Sequence, residues 1–279
     1  MARRFAVFAL FATLLCRAQS PPSQAAGYNL VFSDAFPSLT TCNNTPGCNW
    51  YDPGTLNFSA YGTITDPSGT YANLNWTSAQ GNNATMMTTA SENQAYYHVL
   101  TFGYFEASIA FNPATGSWPA LWMGAMVPAN YTGNYAEMDV FEWQSDTPTT
   151  GYATAHVWNW NGSTLTSVAT NPSNTWTIPG GTDLAAFHSY GVKWTPTAIT
   201  WYFDNQQVQT FSTASSPWNT LYAGQVPMMI LLSVQPGCSF TYPCAGQVSP
   251  LNMQVQWVHV FQNPAGSQMR GVQRGTVMQ

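Results

Sequence analysis

The sequence predicts an all-β sandwich. Short runs alternate between apolar and polar residues, and clusters of Gly, Pro, Asn and Asp separate them. Beyond the first 25 residues no helix-length amphipathic pattern occurs. Those first residues read differently. Arg3 and Arg4 precede an apolar run over 5–15, and small residues follow around Ala18. This is the pattern of a secretory signal, with a hydrophobic stretch too short to span a bilayer. Cleavage is expected between Ala18 and Ala26, which makes 1–25 a signal peptide and the mature protein extracellular or periplasmic. Lipid anchoring through Cys16 fits less well, because bulky Leu15 precedes it.

The strands follow in order. Phe105, Ala107, Ile109 and Phe111 alternate with Tyr104, Glu106, Ser108 and Ala110. Tyr152, Thr154, His156 and Trp158 alternate with Ala153, Ala155 and Val157. Ile199, Trp201 and Phe203 define another strand, and Asp204-Asn205 turns the chain back toward Val208 and Phe211. The nearly continuous apolar run 227–234 predicts a strand buried on both faces, and 253–261 is a last alternating strand. Trp194, Trp201 and Trp257 are expected in the core. No linker or internal repeat divides the chain, so residues 26–262 are expected to form one sandwich domain. The segment 263–279 lacks periodicity and is expected to be a flexible tail.

Charge narrows the function classes. Only 6% of residues are charged, and Lys193 is the only basic residue between Arg17 and Arg270. After signal removal, eleven acids face three bases, a formal charge near −8. A nucleic-acid partner needs a basic footprint, which is absent. Abundant aromatics and neutral hydrogen-bonding residues suit an uncharged polyhydroxyl ligand such as a sugar chain. They equally suit a β-rich secreted protein with a low-charge surface.

Four cysteines remain after the signal, as Cys42-x5-Cys48 and Cys238-x5-Cys244. In an oxidising compartment each pair is expected to close a small disulfide loop. A metal site fits less well, because two-residue spacing and partner histidines are missing. Asn43, Asn57, Asn75, Asn83, Asn130 and Asn161 each begin an Asn-x-Ser/Thr sequon.

Three of the eleven acids fall within Glu137-Met138-Asp139-Val140-Phe141-Glu142, which runs into Trp143. Like charges this close repel, so clustering them costs stability unless they are used. The apolar residues between them read as a strand, on which Glu137 and Asp139 share a face and Glu142 points away. One β-bulge returns Glu142 to that face. The two glutamates then stand about 13 Å apart along the backbone, from two double steps of about 6.6 Å. Side chains leaning inward reach the separation of about 5–5.5 Å used by retaining glycosidases rather than the 6.5–9.5 Å or so of inverting ones. A calcium site built from the same carboxylates is the alternative, though Met, Val, Phe and Trp leave few oxygens nearby.

The cluster resembles the E-[ILM]-D-x-x-E signature of glycoside hydrolase family 16, in the bulged form of its laminarinase-like branch. Further blocks are similar and in the family's order: Phe32 to Phe36, Gly103 to Ala107, Ser117 to Met123, and Phe187 to Trp194 with the strand after it. The resemblance covers about 28–262. It implies a β-jelly-roll of two antiparallel sheets, with Glu137 as nucleophile, Glu142 as acid/base and Asp139 as assistant. His156, Trp118, Trp122, Trp143 and Glu106 are the implied substrate contacts, Glu106 being equally readable as a buried structural acid. The family's convex-side calcium is expected to be missing, since Gln256 and Ala35 stand where acids are usual. His259 stands where Arg is common. No cofactor or metal is therefore expected.

The implied protein is a secreted, monomeric endo-β-glucanase acting on β-1,3 or mixed β-1,3/1,4 glucan with retention, with no nucleic-acid or membrane partner. Another polysaccharide such as a galactan, or transglycosylation, is the nearest alternative. A non-catalytic glucan-binding module would need the aromatics but not the acids. Subsite shape falls to loops such as 112–117 and 128–135, which periodicity does not describe.

Overall fold

In the computed structural model the alternating segments become strands in two stacked, almost wholly antiparallel sheets, a β-jelly-roll. The structure describes residues 20–39, 41–42, 46–52, 63–65, 71–90, 98–127, 131–223 and 227–264. Residues 1–19 of the expected signal peptide and 265–279 of the expected tail lie outside the described residues.

Eight strands form one sheet among the described residues, in the order Gln206–Ser212, Ala198–Phe203, His188–Trp194, Gly103–Phe111, Leu251–Gln262, Ala72–Trp76 and Thr63–Thr65. Asn29–Asp34 joins that sheet through Leu251–Gln262. The other has nine, in the order Leu165–Thr170, Thr150–Trp160, Gly133–Trp143, Ser117–Ala125, Met228–Pro236, Thr85–Thr88, Trp50–Tyr51 and Thr41–Cys42, with Thr175–Thr177 also on Thr150–Trp160. Helix is confined, among the described residues, to the turn Trp218–Leu221 and two 3-10 turns.

The period of two decides what enters the core. Phe105, Ala107, Ile109 and Phe111 face Leu121, Met123, Met138 and Phe141 across the sandwich, in one continuous apolar cluster. Trp194 and Trp201 are fully buried, as the sequence predicts. Trp257 is not. A register shift between Val255 and Trp257 moves it onto the outer face, opposite Ser108. There it is half-buried and stacks on His259 with ring centroids 4.3 Å apart.

The acid strand Gly133–Trp143 carries the bulge. On one side Tyr152 pairs with Glu142 and Thr154 with Asp139, so only Ala153 stands opposite Val140 and Phe141. The register with Ser117–Ala125 shifts at the same place. Val140 and Phe141 consequently both pack into the core, and Glu142 returns to the outer face with Glu137 and Asp139. A bulge leaves backbone groups without ladder partners, and here the opposite sheet supplies one. Trp201 donates its indole N–H across the core to the Asp139 carbonyl at 2.8 Å. Replacing Trp201 by Phe keeps most of the ring but leaves that buried carbonyl without its donor. A loss of about 1–3 kcal/mol is expected, read as a melting temperature lower by about 2–4 °C per kcal/mol in a domain this size. Unchanged melting would show that the bulge holds without this bond.

Both cysteine pairs close as disulfides, with Cα atoms 6.1 Å apart for Cys42–Cys48 and 5.1 Å for Cys238–Cys244. The folded unit also starts earlier than residue 26. Gln24 and Ala25 are buried, Gln24 donates to the Asn205 carbonyl at 2.7 Å, and Ala25 packs on Tyr104 and Phe261. Their small and amide side chains look like a cleavage region in sequence but fit a crevice on the eight-stranded sheet.

Candidate active site

The outer face of the nine-stranded sheet holds a cleft of about 160 Å³, lined by Glu137, Asp139, Glu142, Trp118, Ala120, Trp122, Met86, Ser233 and Gln235. Its floor is a small apolar cluster that includes Met86, Ala120, Trp122, Met229 and Leu231. The strand Met228–Pro236 is thus buried on both faces, one in the core and one under the cleft. Ser233 accepts the Trp122 indole N–H at 3.1 Å, which fixes that ring.

Each glutamate receives one indole donor from a flanking strand. Trp118 donates to Glu142 Oε1 at 2.8 Å, and Trp158 donates to Glu137 Oε1 at 3.0 Å. Asp139 lies between the glutamates, 3.2 Å from His156 Nε2, and Thr170 Oγ1 is 3.0 Å from His156 Nδ1. Burial lowers the His156 pKa, with Glu137 and Glu142 opposing that effect. These partners suit the neutral ring that donates from Nε2 to Asp139 and accepts from Thr170. Beneath, the Tyr222 hydroxyl bridges the backbone carbonyls of the cross-strand pair Glu137 and His156.

The carboxyls differ in their surroundings. Burial raises Asp139 to about 7, with a hydrogen bond to Glu142 acting against the rise. Burial, followed by the Asp139 charge, raises Glu142 to about 8. Burial thus favours the protonated form of both carboxyls, and their mutual hydrogen bond lets them share one proton. Burial and the Asp139 charge raise Glu137 to about 8 as well, opposed by His156 and by the Trp158 hydrogen bond, so the two glutamates are shifted alike and differ in exposure. Glu137 keeps more of its surface open than Asp139 (4% exposed) or Glu142 (9%), so water helps its ionised form more.

A carboxyl raised in the folded state binds more protons folded than unfolded. Its contribution is fully present below its unfolded value and is lost as pH rises through its folded value. For Glu142 that window runs from about 4.5 to about 8. Glu142→Gln is accordingly expected to melt higher than the parent at pH 8, with the difference vanishing near pH 4. Thermal unfolding at the two pH values measures this, and a pH-independent difference would contradict it.

Of the residues singled out in sequence, Trp118, Trp122 and His156 gather around the three acids. Trp143 does not. It is 1% exposed, packs on Phe111 and donates to the Pro148 carbonyl at 3.1 Å, because the residue after an outward Glu142 points inward. Glu106 is also elsewhere. It is buried on the outer face of the other sheet, where Tyr104 donates to it at 3.1 Å and His259 Nδ1 lies 3.8 Å away. It is the structural acid rather than a cleft contact. The residues missed were Trp158, Tyr222, Ser233, Gln235 and Phe240. The Phe240 ring, 48% exposed in the Cys238–Cys244 loop, meets both Trp118 and Tyr152 edge-on. The alternation that placed Trp158 on the His156 face was the one available cue.

Glu137, Asp139 and His156 each offer an atom within 4.8 Å of the others, the one grouping among the described residues that could hold a cation. Two of those atoms already face each other in the Asp139–His156 contact.

A jelly-roll with two glutamates and an aspartate on one strand, inside an aromatic-lined cleft, defines a carbohydrate-cleaving enzyme. The chain belongs to Glycosyl hydrolases family 16, whose sequence profile matches residues 61–259. Among characterised relatives, the chain is 32% identical to the endo-1,3-1,4-beta-glycanase EglC of Rhizobium meliloti over 161 residues. That stretch is 58% of this chain and 30% of that protein. It is 24% identical to the keratan-sulfate endo-1,4-beta-galactosidase of Sphingobacterium multivorum over 255 residues, 85% of this chain and 56% of that one. The matches thus span well under two thirds of these relatives' lengths. Two of the solved structures that share the fold illustrate it. One is a GlcNAcα1-4Gal-releasing endo-β-galactosidase from Clostridium perfringens (TM-score 0.66, 19% identity, 90% of this chain and 67% of that one). The other is the laminarinase catalytic domain of Thermotoga maritima (TM-score 0.59, 20% identity, 84% and 98%).

Proposed function

We propose that this chain is a secreted endo-acting β-glucanase that cuts β-1,3 or mixed β-1,3/1,4 linkages with retention. The observation that carries the mechanism is the placement of the two glutamates on one face of a bulged strand, with Glu137 the more open of the two. Glu137, more open and held by an N–H donor, attacks the anomeric carbon. As the glycosidic C–O bond breaks, Glu142 passes its proton to the leaving oxygen. Glu142, now ionised, takes a proton from water, whose oxygen attacks the same carbon and releases Glu137. Asp139, oriented by His156, holds the Glu142 proton in place before the first step and after the second. The glucan reading rests on the named activity of the Rhizobium relatives.

A second reading, a β-galactosyl polymer, is favoured by the broad match to the keratan-sulfate galactosidase and by the likeness in fold to an endo-β-galactosidase. Sulfate groups fit poorly. Lys193 pairs with Thr200 and Tyr104 on the opposite sheet and sits over the Tyr28 ring, and no Lys or Arg lines the cleft among the described residues. The mechanism takes no step through a metal. At the family's calcium position the donors are poor, since Ala35 has no side-chain oxygen and Gln256 Oε1 accepts from Ser108 at 3.1 Å.

Laminarin, lichenan, xyloglucan, agarose, carrageenan and desulfated keratan decide between the readings, with product sizing and the first-formed anomer followed by NMR. Release of β-anomer from laminarin or lichenan supports the proposal. Release of α-anomer would refute retention, and cleavage of the galactans alone would establish the second reading.

A further inference from the structure

We propose that Trp158 is a positioning residue for the reaction, aiming Glu137 and holding it charged. This deepens the reading above and rests on Glu137 being the nucleophile.

The geometry is specific. The Trp158 indole N–H points at Glu137 Oε1 from 3.0 Å. It is a donor only, so it bonds more strongly to an ionised carboxylate than to the carbonyl oxygen of a protonated one. Tying Oε1 leaves Oε2 as the oxygen that attacks. The ring itself is held. It stacks on His156, with centroids 4.8 Å apart and planes 26° apart, and His156 is anchored in turn by Asp139 and Thr170. Backbone register places Trp158 opposite Tyr135 on one side and Ser167 on the other. One ring face is covered by His156, which fixes the plane of the indole. On the other flank Trp118 gives Glu142 the same kind of bond.

The titratable groups facing Glu137 are Asp139, Glu142 and Tyr135 on its own strand, His156 on the next, and Tyr222 below. The strand Ser117–Ala125 places Gly124 and Trp122 nearest, neither of which titrates. Two carboxyls thus oppose the Glu137 charge, while His156 and the Trp158 indole favour it. The indole is the neutral group hydrogen-bonded to that carboxylate among the described residues, and its N–H stays in place whatever the protonation of His156.

Trp158→Phe keeps the stacked ring and removes the N–H. Expected is a fall in kcat of about ten- to hundredfold, the size of a hydrogen bond to a charged group. KM should change less than about threefold, and the acidic limb of the kcat/KM profile should move up by about one pH unit. A binding-independent readout is the titration of Glu137 by carboxyl ¹³C NMR, expected to shift upward by a similar amount. If Trp158→Phe fails to fold, incorporation of 3-benzothienylalanine at position 158 replaces the N–H by sulfur in an isosteric ring and should give the same shifts. An unmoved titration and acidic limb would overturn the proposal. So would a rise in KM alone, which would mark the ring as a sugar contact. Failure of the underlying reading shows separately, as absence of α-glycosyl azide when Glu137→Gly is supplied with azide and an activated aryl β-glycoside.

Discussion

Glu137→Gln is expected to lower hydrolysis of β-glucan by roughly 10⁴-fold or more, the loss seen when one member of a catalytic unit is removed. Glutamine is nearly isosteric, and its carbonyl oxygen still accepts the Trp158 indole N–H. The ring stack of His156 and Trp158, the bulge and the aromatic walls are untouched. What disappears is the nucleophile, since a neutral amide oxygen does not form the ester-like intermediate. Binding should survive, because the cleft is lined by Trp118, Trp122, Ser233 and Gln235 and the substrate carries no charge that Glu137 must meet. The substitution also removes a buried charge flanked by Asp139, so melting should not fall. Steady-state rates on laminarin, paired with calorimetric titration of the same oligosaccharide, separate turnover from affinity. Hydrolysis within tenfold of the parent would remove Glu137 from the nucleophile's role, and loss of binding together with turnover would mean that it holds the sugar as well.

The acid strand was the most legible part of the chain because its pattern contains its own contradiction. Period-two alternation puts Glu137 and Asp139 on one face and Glu142 on the other, and only a bulge reconciles them. Val140 and Phe141, both in the core, are the visible result. The same counting placed the core faces of Gly103–Phe111 and Ala198–Phe203. It failed wherever a residue's place depends on a shift the sequence does not mark. Trp257 follows a bulge with no charge pattern to announce it. Trp143 was read by its proximity to the acids rather than by its parity, and parity was the better guide. Glu106 shows the limit of alternation, since outward on one sheet means the cleft and outward on the other means the opposite surface. Ser233 and Gln235 enter the site through register with a strand far away in sequence, as do the contacts of Tyr222 and Phe240, whereas Trp158 lies on the next strand along the chain.

Glu142→Ala separates the acid's work from the nucleophile's. On polysaccharide the leaving group is a sugar hydroxyl, a poor leaving group without a proton, and a loss of about 10²–10⁴-fold is expected. On an aryl β-glycoside with an acidic phenol the leaving oxygen departs unprotonated, so the first step should proceed at close to the parental rate. The second step then lacks its base, and the glycosyl-enzyme on Glu137 should accumulate. A burst of phenol followed by slow turnover is the expected trace, with the intermediate visible by intact mass. Azide, which needs no deprotonation, should restore turnover and yield the β-glycosyl azide, because it displaces Glu137 from the opposite face. Alanine also removes the acceptor for the Trp118 indole. That ring remains braced edge-on by Phe240, so a general collapse of the cleft should not mimic the result. Equal loss on both substrates, with no burst and no azide product, would mean that Glu142 supports the site without transferring the proton. The pH profile gives an independent check. The parent should lose activity on the alkaline side as Glu142, raised to about 8 by burial and by Asp139, gives up its proton. On the activated glycoside that alkaline limb should disappear in Glu142→Ala, while the acidic limb set by Glu137 remains.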